Sequence, residues 1–472
     1  MNALLDRLRA CVGPTQLLTD GDLSAWELDW RKRWRGRALA VVRPGSTAEV
    51  VAVVRACAEH GASLVPQGGN TGLVGGGVPD ASGTQVLLSL QRLNRIRALD
   101  RANLTLTAEA GCILQAVQQA AADAGLLFPL SLAAEGSCTI GGNLATNAGG
   151  TQVLRYGNAR ELCLGLEVVT ADGEVWDGLA GLRKDNTGYD LRDLFIGSEG
   201  TLGIITAATL ELYPRPAAQL TAFAAAASLP DCVALLGLAQ ARLHAGLTGF
   251  EVMNRFALDL VARHFADLPR PLPQAEWTVL LELSDADGEA SARERFEALL
   301  ADALERGVIG DAVVAESLAQ ARALWHVRES IPLAQAEEGL NIKHDIALPV
   351  SAIPGFCAHT DAALARAFPG IRLVNFGHLG DGNLHYNVQA PEGAPAPDFL
   401  ARHEHAVNTI VYDAVVAAGG SISAEHGVGL LKREELAGRK SPVALKLMRA
   451  LKTALDPHDR LNPGRVLAGP TK

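Results

Sequence analysis

One glycine-rich segment of the sequence reads Glu135-Gly136-Ser137-Cys138-Thr139-Ile140-Gly141-Gly142-Asn143-Leu144-Ala145-Thr146-Asn147-Ala148-Gly149-Gly150. An earlier segment follows a short apolar run and reads Pro66-Gln67-Gly68-Gly69-Asn70-Thr71-Gly72-Leu73-Val74-Gly75-Gly76-Gly77. A third reads Gly197-Ser198-Glu199-Gly200-Thr201-Leu202-Gly203-Ile204. Glycines placed after strands let backbone N–H groups converge on phosphate oxygens without interference from Cβ. Three such segments favour a long ligand with a central pyrophosphate over glycines that serve only turns.

The spacing of these glycines excludes two common phosphate-binding motifs. No Gly-x-Gly-x-x-Gly turn opens a helix, and no Gly-x-x-x-x-Gly-Lys-Ser/Thr sequence occurs. The sequence therefore predicts neither a Rossmann domain nor a P-loop.

The composition narrows the class of protein. The 472 residues include 42 basic and 52 acidic side chains, and the net charge of −10 argues against a nucleic-acid binder. No apolar run is long enough to span a bilayer, and the first residues do not form a secretory signal. Seven scattered cysteines without a Cys-x-x-Cys pair indicate reduced thiols, so we expect a cytoplasmic protein.

Local patterns predict an α+β chain of at least two domains. Ser46 has the spacing of a capping box and predicts a helix that ends before Gly61. Pro214 and Pro216 indicate a domain boundary. The other predicted elements are strands at 62–65, 85–90, 104–109 and 277–283, a hairpin at 164–176, a strand–turn–strand unit at 374–388, and helices at 113–124, 403–418 and 442–455.

A cluster of metal-ligand residue types lies in the last third of the chain. His378 and His385 flank the turn Leu379-Gly380-Asp381-Gly382-Asn383, and Glu425-His426 follows further on. If the two histidines lie on facing strands of a hairpin, their rings can point the same way. Two imidazoles and a carboxylate suit Zn²⁺, with Mn²⁺, Fe²⁺ and Co²⁺ as alternatives. From spacing alone, a metal site and ordinary hydrogen-bonded histidines are about equally favoured.

Two cations upstream have two interpretations. Arg328 and Lys343 could form surface ion pairs with the neighbouring Glu329 and Asp345. Alternatively, the guanidinium of Arg328 could bind a substrate carboxylate through two parallel N–H donors, and Lys343 could supply a second positive charge.

The three glycine segments together resemble the flavin-binding segments of the vanillyl-alcohol-oxidase-type superfamily. The resemblance runs from about Arg43 to Arg465 and is closest to the FAD-linked D-2-hydroxyacid dehydrogenases, among them the D-2-hydroxyglutarate enzymes. It implies an α+β fold with a two-part FAD-binding domain and an inserted α+β substrate domain. The implied boundaries are 1–215 for the FAD-binding domain, 216–425 for the substrate domain with the metal site, and 426–472 for a segment that returns to the flavin.

The resemblance also implies which residues bind FAD. Because the first loop has Asn70 and no histidine, we expect the FAD to be noncovalent. The implied FAD-binding residues are Pro66, Gln67, Gly68, Gly69, Asn70, Thr71, Gly72, Ser137, Gly141, Gly142, Asn143, Ala145, Thr146, Glu199, Gly200, Ile204 and Asn462.

The same resemblance assigns roles to the polar residues of the last third. It implies that a divalent metal, Zn²⁺ in first place, is bound by His378, His385 and Glu425, and that His426 is the catalytic base. Arg328, Lys343 and Asn387 would bind the substrate. A metal ion lowers the pKa of a coordinated hydroxyl, so His426 could take the hydroxyl proton while the hydride passes to the flavin.

The implied substrate is D-2-hydroxyglutarate. The alternative is D-lactate or glycolate, oxidised with the same FAD, cation and site residues. The eukaryotic D-2-hydroxyglutarate enzymes have a threonine where this chain has Pro332, which weakens the case for glutarate. A metallohydrolase without flavin and a flavin module without catalysis are the more distant alternatives. The resemblance further implies an electron-transfer flavoprotein or a quinone-linked chain as electron acceptor, and a homodimer.

Overall fold

The computed structural model describes residues 2–468 and contains two compact units. The first unit comprises the chain up to Gly149, Gly157–Arg215 and the chain from Glu425 onward. The second unit comprises Gly150–Tyr156 and Pro216–Ala424.

The strands are, in chain order, β1 (Leu17–Leu18), β2 (Ala38–Val42), β3 (Leu64–Gln67), β4 (Gln85–Ser89), β5 (Ile96–Asp100), β6 (Thr105–Glu109), β7 (Leu126–Leu127), β8 (Cys163–Val169), β9 (Val175–Gly178), β10 (Ile204–Glu211), β11 (Tyr213–Pro214), β12 (Ala218–Ala226), β13 (Leu247–Asn254), β14 (Trp277–Asp285), β15 (Asp311–Val314), β16 (Asn341–Ile342), β17 (Asp345–Ala347), β18 (Arg372–Gly377) and β19 (Asn383–Gln389). The helices are α1 (Asn2–Val12), α2 (Ser24–Glu27), α3 (Thr47–Glu59), α4 (Leu114–Asp123), α5 (Ile140–Ala145), α6 (Val153–Tyr156), α7 (Arg192–Phe195), α8 (Leu229–Leu243), α9 (Arg255–His264), α10 (Glu289–Glu305), α11 (Leu318–Glu329), α12 (Ile331–Glu338), α13 (Ile353–Ala367), α14 (Ala396–Ala417), α15 (Arg433–Arg439) and α16 (Pro442–Leu455).

The first unit contains a four-stranded sheet in the order β1-β2-β4-β3 and a five-stranded antiparallel sheet in the order β5-β6-β10-β8-β9. Strands β2, β3 and β4 run parallel, and the first glycine loop begins at the carboxyl end of β3. The predicted helix after Ser46 is confirmed as α3, because the Ser46 hydroxyl accepts a hydrogen bond from the Glu49 N–H at 3.2 Å. Its apolar face, which includes Val50, Val53 and Val54, is buried.

The second unit is built on an antiparallel sheet in the order β15-β12-β14-β13-β18-β19-β16, with β17 also paired to β19. Its core includes Phe250, Phe296 and Tyr386, all at most 1% exposed. The predicted strand–turn–strand unit is confirmed by the pairing of β18 with β19, in which Phe376 lies opposite His385.

Several predicted elements differ from the observed ones. Strand β3 extends to Gln67, because its pairing with β4 continues past Val65, and α14 begins at Ala396 where a start at His403 was predicted. Strand β5 was missed, since its largely exposed residues lack the alternation that marks a half-buried strand. All seven cysteines carry free thiols, six of them buried. Within residues 2–468, no helix combines the length and apolar character needed to cross a membrane.

Candidate active site

The first two glycine segments pack against each other through their backbones. A Cβ atom on Gly69 would lie 2.0 Å from the carbonyl oxygen of Ser137, and one on Gly68 would lie 2.3 Å from the hydroxyl of Thr139. Any larger residue at either position would therefore force the two loops apart. Glycine is required here by the close approach of two chains.

Three buried polar atoms, two in these loops and one in the C-terminal segment that contacts the first loop, lack a hydrogen-bond partner among residues 2–468. They are Gln67 Oε1, Thr139 Oγ1 and Asn462 Oδ1. The amide nitrogen of Gln67 is fixed by the carbonyls of Trp26 and Gly77, at 2.9 and 2.8 Å. A buried polar atom without a partner costs free energy, so such atoms indicate a polar ligand. Gln67 Oε1 and Asn462 Oδ1 can only accept hydrogen bonds, so they suit N–H or O–H groups of a cofactor, whereas the Thr139 hydroxyl and the glycine N–H groups can donate to its pyrophosphate.

Other residues predicted to bind FAD shape the loops. Gly141 donates its N–H to the Ala110 carbonyl at 2.8 Å, and the Thr146 hydroxyl donates to the Gly142 carbonyl at 3.1 Å. Gly200 has a φ of 69° and packs against Pro66. Further members of the set are Thr71 and Gly72 in the first loop, Asn143 and Ala145 in α5, and Ile204 at the start of β10.

Asn70 has a structural role in the first loop. Its φ of 54° lies in the left-handed region, and its amide nitrogen donates to the carbonyls of Ala25 and Leu28 at 3.1 and 2.9 Å. The side chain therefore ties the loop to the segment around α2. The noncovalent attachment of FAD stays a prediction.

The carboxylate of Glu199 holds the loop that carries Glu425 and His426. It accepts hydrogen bonds from the N–H groups of Val428 and Gly429, at 2.7 and 2.8 Å. Burial raises the pKa of Glu199, while these two N–H groups and Lys432 act in the opposite direction. The sequence predicted Glu199 as an FAD ligand, and the structure shows its carboxylate anchoring the 425–429 loop.

Glu425 lies against the second glycine segment. A Cβ atom on Gly149 would lie 2.6 Å from one carboxylate oxygen of Glu425. The absence of a side chain at Gly149 therefore leaves room for the Glu425 carboxylate.

The Glu199→Gln variant is expected to lose turnover while it keeps its flavin. A glutamine presents one acceptor oxygen to two N–H groups, so one buried N–H loses its partner, at a cost of about 1–3 kcal/mol. The loop carrying His426 is then less well fixed, and we expect kcat to fall roughly 10- to 100-fold. Steady-state kinetics measure kcat, and flavin absorbance measures how much flavin the variant retains.

The matched control is Glu167→Gln. Glu167 is a buried carboxylate in the same unit, where it contacts Arg97, Thr47 and Thr206. We expect its replacement to lower the melting temperature without a large change in kcat. Equal kcat values for the two variants would show that Glu199 acts only on stability.

In the second unit, the structure brings His378 and His385 together. Their ring centroids lie 5.5 Å apart at an interplanar angle of 78°. His378 directly follows β18, and His385 lies in β19, so the hairpin places the two rings next to each other. His378 is 7% exposed, and its Nδ1 lies 2.6 Å from Oε1 of Glu251. The remaining nitrogen, Nε2, is therefore the one that can ligate a metal.

Arg328 is bound to the same buried carboxylate. Its Nε donates to Oε2 of Glu251 at 2.8 Å, and its guanidinium carbon lies 4.8 Å from the centre of the Phe376 ring. Although complete burial by itself raises the pKa of Glu251, the charges of His378 and Arg328 lower it to about 2. Among the described residues, Nη1 and Nη2 of Arg328 make no hydrogen bond, so both can face a ligand carboxylate.

The predicted substrate residues Asn387 and Lys343 lie on neighbouring segments. Asn387 donates to Oε1 of Gln335 at 3.0 Å and accepts from the His344 N–H at 3.1 Å. Asn387 therefore holds in place the segment that carries Lys343. The role of Asn387 in substrate binding stays a prediction.

The C-terminal end of the second unit passes next to His385. Asp345 lies opposite His385 in the pairing of β17 with β19, and the Ala424 N–H donates to the Asp345 carbonyl at 3.3 Å.

Glu251 is the functional candidate that sequence reasoning missed. It lies in β13, 127 residues before His378, and reaches it because β13 pairs with β18. The sequence does contain an indication that Glu251 is buried and paired, because it is the single charged residue in the apolar strand Leu247–Asn254. Charged residues are almost never fully buried unless they are paired.

Comparisons with known proteins agree with this architecture. A family described as FAD linked oxidases, C-terminal domain, matches residues 215–466, and an FAD binding domain family matches residues 38–178. A D-2-hydroxyglutarate dehydrogenase from Xanthomonas citri pv. viticola is 41% identical over 97% of this chain and 96% of its own. The mitochondrial D-2-hydroxyglutarate dehydrogenase of Bos taurus is 38% identical over 97% of this chain and 82% of its own.

A solved structure of p-cresol methylhydroxylase with substrate bound has a TM-score of 0.78 and 18% identity, and it covers 99% of this chain and 97% of its own. This likeness confirms the predicted vanillyl-alcohol-oxidase-type fold. The chain belongs to the FAD-linked oxidases and, within them, to the FAD-dependent D-2-hydroxyacid dehydrogenases, which oxidise a CH–OH donor. FAD is thereby confirmed as the cofactor, whereas the divalent cation and the cytoplasmic location stay predictions.

Proposed function

We propose that this enzyme oxidises D-2-hydroxyglutarate to 2-oxoglutarate with the help of FAD and a divalent cation, Zn²⁺ in first place. The observation that carries the proposal is the identity of 38–41% with relatives named D-2-hydroxyglutarate dehydrogenase. The buried cluster of Arg328, Glu251 and His378 supports it, because it combines a carboxylate-binding cation with a metal-ligand type.

The substrate's carboxylates are bound by Arg328 and Lys343 in this proposal. Arg328 is 6% exposed and is held through Nε, which leaves its two terminal nitrogens for a bidentate contact with one carboxylate. Lys343 supplies the charge for the other. This second cation compensates for Pro332, which lies in the first turn of α12 and has no hydroxyl to donate.

The cation is bound by His378, His385 and Glu425 in this proposal. Two imidazole nitrogens and one carboxylate, with open positions, are the donor set of a catalytic zinc site. The residues fit a cation, because Glu251 holds Nδ1 of His378 and leaves Nε2 as the nitrogen that can bind a metal.

The chain's own residues orient the reaction and move the proton. When bound, FAD supplies the hydride acceptor and the cation polarises the substrate hydroxyl. Arg328 fixes one carboxylate and thereby the direction of the neighbouring C–H bond. His426 accepts the hydroxyl proton on a ring nitrogen. FAD is held by the three glycine segments and by Asn462.

A dye-reduction panel tests the substrate. We expect kcat/KM for D-2-hydroxyglutarate to exceed the value for D-lactate by about 10- to 100-fold, since a lost hydrogen bond to a charged group costs about 1.5–3 kcal/mol. L-2-hydroxyglutarate should be inactive. The Lys343→Met variant should lower kcat/KM for D-2-hydroxyglutarate and leave the value for D-lactate unchanged. D-lactate or glycolate as the better substrate, together with no effect of Lys343→Met, would contradict the dicarboxylate proposal.

A further inference from the structure

Glu251 has no solvent exposure and commits each of its carboxylate oxygens to a different functional side chain. Oε1 lies 2.6 Å from Nδ1 of His378, and Oε2 lies 2.8 Å from Nε of Arg328. The pairing of β13 with β18 fixes this carboxylate, because Val252 lies opposite Gly377 and Met253 opposite Phe376.

We propose that Glu251 is a positioning residue that sets Arg328 and His378 relative to each other, and thereby the substrate carboxylate relative to the cation. This role rests on the proposed function, in which Arg328 binds substrate and His378 binds the cation. Glu251 itself touches neither the substrate nor the cation.

The contact with His378 selects the ligand nitrogen. A carboxylate only accepts hydrogen bonds, so Nδ1 carries the hydrogen, and in the neutral ring that binds a metal Nε2 has the lone pair. A carboxylate behind a metal-binding histidine fixes the ring and raises its basicity, and loss of such a partner typically costs about 10- to 100-fold in metal affinity.

The contact with Arg328 selects the edge of the guanidinium that faces a ligand. With Nε held by Glu251 and the Phe376 ring 4.8 Å from the guanidinium carbon, the plane of the group is fixed. The same Phe376 ring lies 4.8 Å from the His385 ring, so one apolar side chain contacts both the arginine and the second histidine. Glu251 and Phe376, on the paired strands β13 and β18, thus both contact the arginine and a histidine of the proposed cation site.

The chain offers a matched control in Glu282. This buried carboxylate lies on the adjacent strand β14 and accepts hydrogen bonds from Trp325 Nε1 and the Thr248 hydroxyl, at 2.8 and 3.1 Å. It contacts neither Arg328 nor His378 among the described residues. Glu282→Gln therefore measures the general cost of losing a buried carboxylate in this sheet.

The experiment compares Zn²⁺ affinity in the wild type, Glu251→Gln and Glu282→Gln. Flavin-loaded, metal-stripped protein is titrated with Zn²⁺ against a chromophoric chelator, and flavin absorbance and melting curves report folding. We expect Glu251→Gln to lower the affinity for Zn²⁺ about 10- to 100-fold and to raise KM for D-2-hydroxyglutarate. We expect Glu282→Gln to have the Zn²⁺ affinity and the KM of the wild type.

Wild-type affinity in Glu251→Gln would overturn the positioning role and leave the proposed metal site intact. A wild type that binds no Zn²⁺ would overturn the metal site and the positioning role together. If Glu251→Gln does not fold, a crystal structure of the Zn²⁺-loaded wild type decides the matter. We expect Zn²⁺ on Nε2 of His378 with Nδ1 still on Glu251, and Zn²⁺ on Nδ1 would overturn the proposal.

Discussion

Turnover of the His426→Ala variant is expected to fall by about 10²- to 10⁴-fold, the range typical for loss of a general base. The imidazole is the proposed acceptor of the hydroxyl proton, and alanine cannot replace it. The loop is fixed through the carboxylate of Glu199 and the N–H groups of Val428 and Gly429, so its backbone should survive the substitution. The variant should therefore stay yellow and flavin-loaded, which absorbance and steady-state kinetics measure together.

The control is His458→Ala, which removes an exposed histidine of the same unit. We expect wild-type turnover from this variant. Partial recovery of His426→Ala by added imidazole would support proton transfer. Turnover of His426→Ala within a few-fold of the wild type would remove His426 from the mechanism.

Removal of the divalent cation is expected to abolish turnover reversibly. Without the cation the substrate hydroxyl keeps a pKa close to that of a free alcohol, far above the pKa of an imidazole, so proton transfer becomes strongly unfavourable. Exhaustive chelation followed by desalting should yield inactive, yellow protein, and Zn²⁺, Mn²⁺ or Co²⁺ should restore activity. Elemental analysis of the purified protein should find about one such ion per chain.

His385→Ala is expected to reproduce the effect of chelation. His405→Ala is its control, because His405 is an exposed histidine of the same unit. Full activity in protein stripped of divalent cations would contradict the metal assignment and leave the flavin assignment standing.

Features encoded by neighbouring residues were predictable from the sequence. Helix α16 has the predicted bounds Pro442–Leu455, and Ser46 caps α3 as its spacing indicates. His378 and His385 flank a short turn, so the pairing of β18 with β19 in one hairpin is sufficient to bring them close.

Features that depend on distant pairing were not predictable. Glu251 reaches His378 through the register of β13 with β18, and no local pattern encodes that register. The carboxylate of Glu199 accepts hydrogen bonds from backbone N–H groups 229 and 230 residues away. Because no local pattern links residues so distant in the sequence, the family resemblance indicated a flavin-binding role for Glu199 and not this anchoring role. The roles of the predicted site residues stay proposals.

The most direct test follows the flavin spectrum after anaerobic mixing with D-2-hydroxyglutarate. We expect the visible flavin absorption of the cation-loaded enzyme to bleach in a single turnover with formation of 2-oxoglutarate. We expect no bleaching with the L enantiomer or after removal of the cation. A flavin that stays oxidised in the cation-loaded enzyme, or that bleaches at the same rate without the cation, would contradict the proposed reaction.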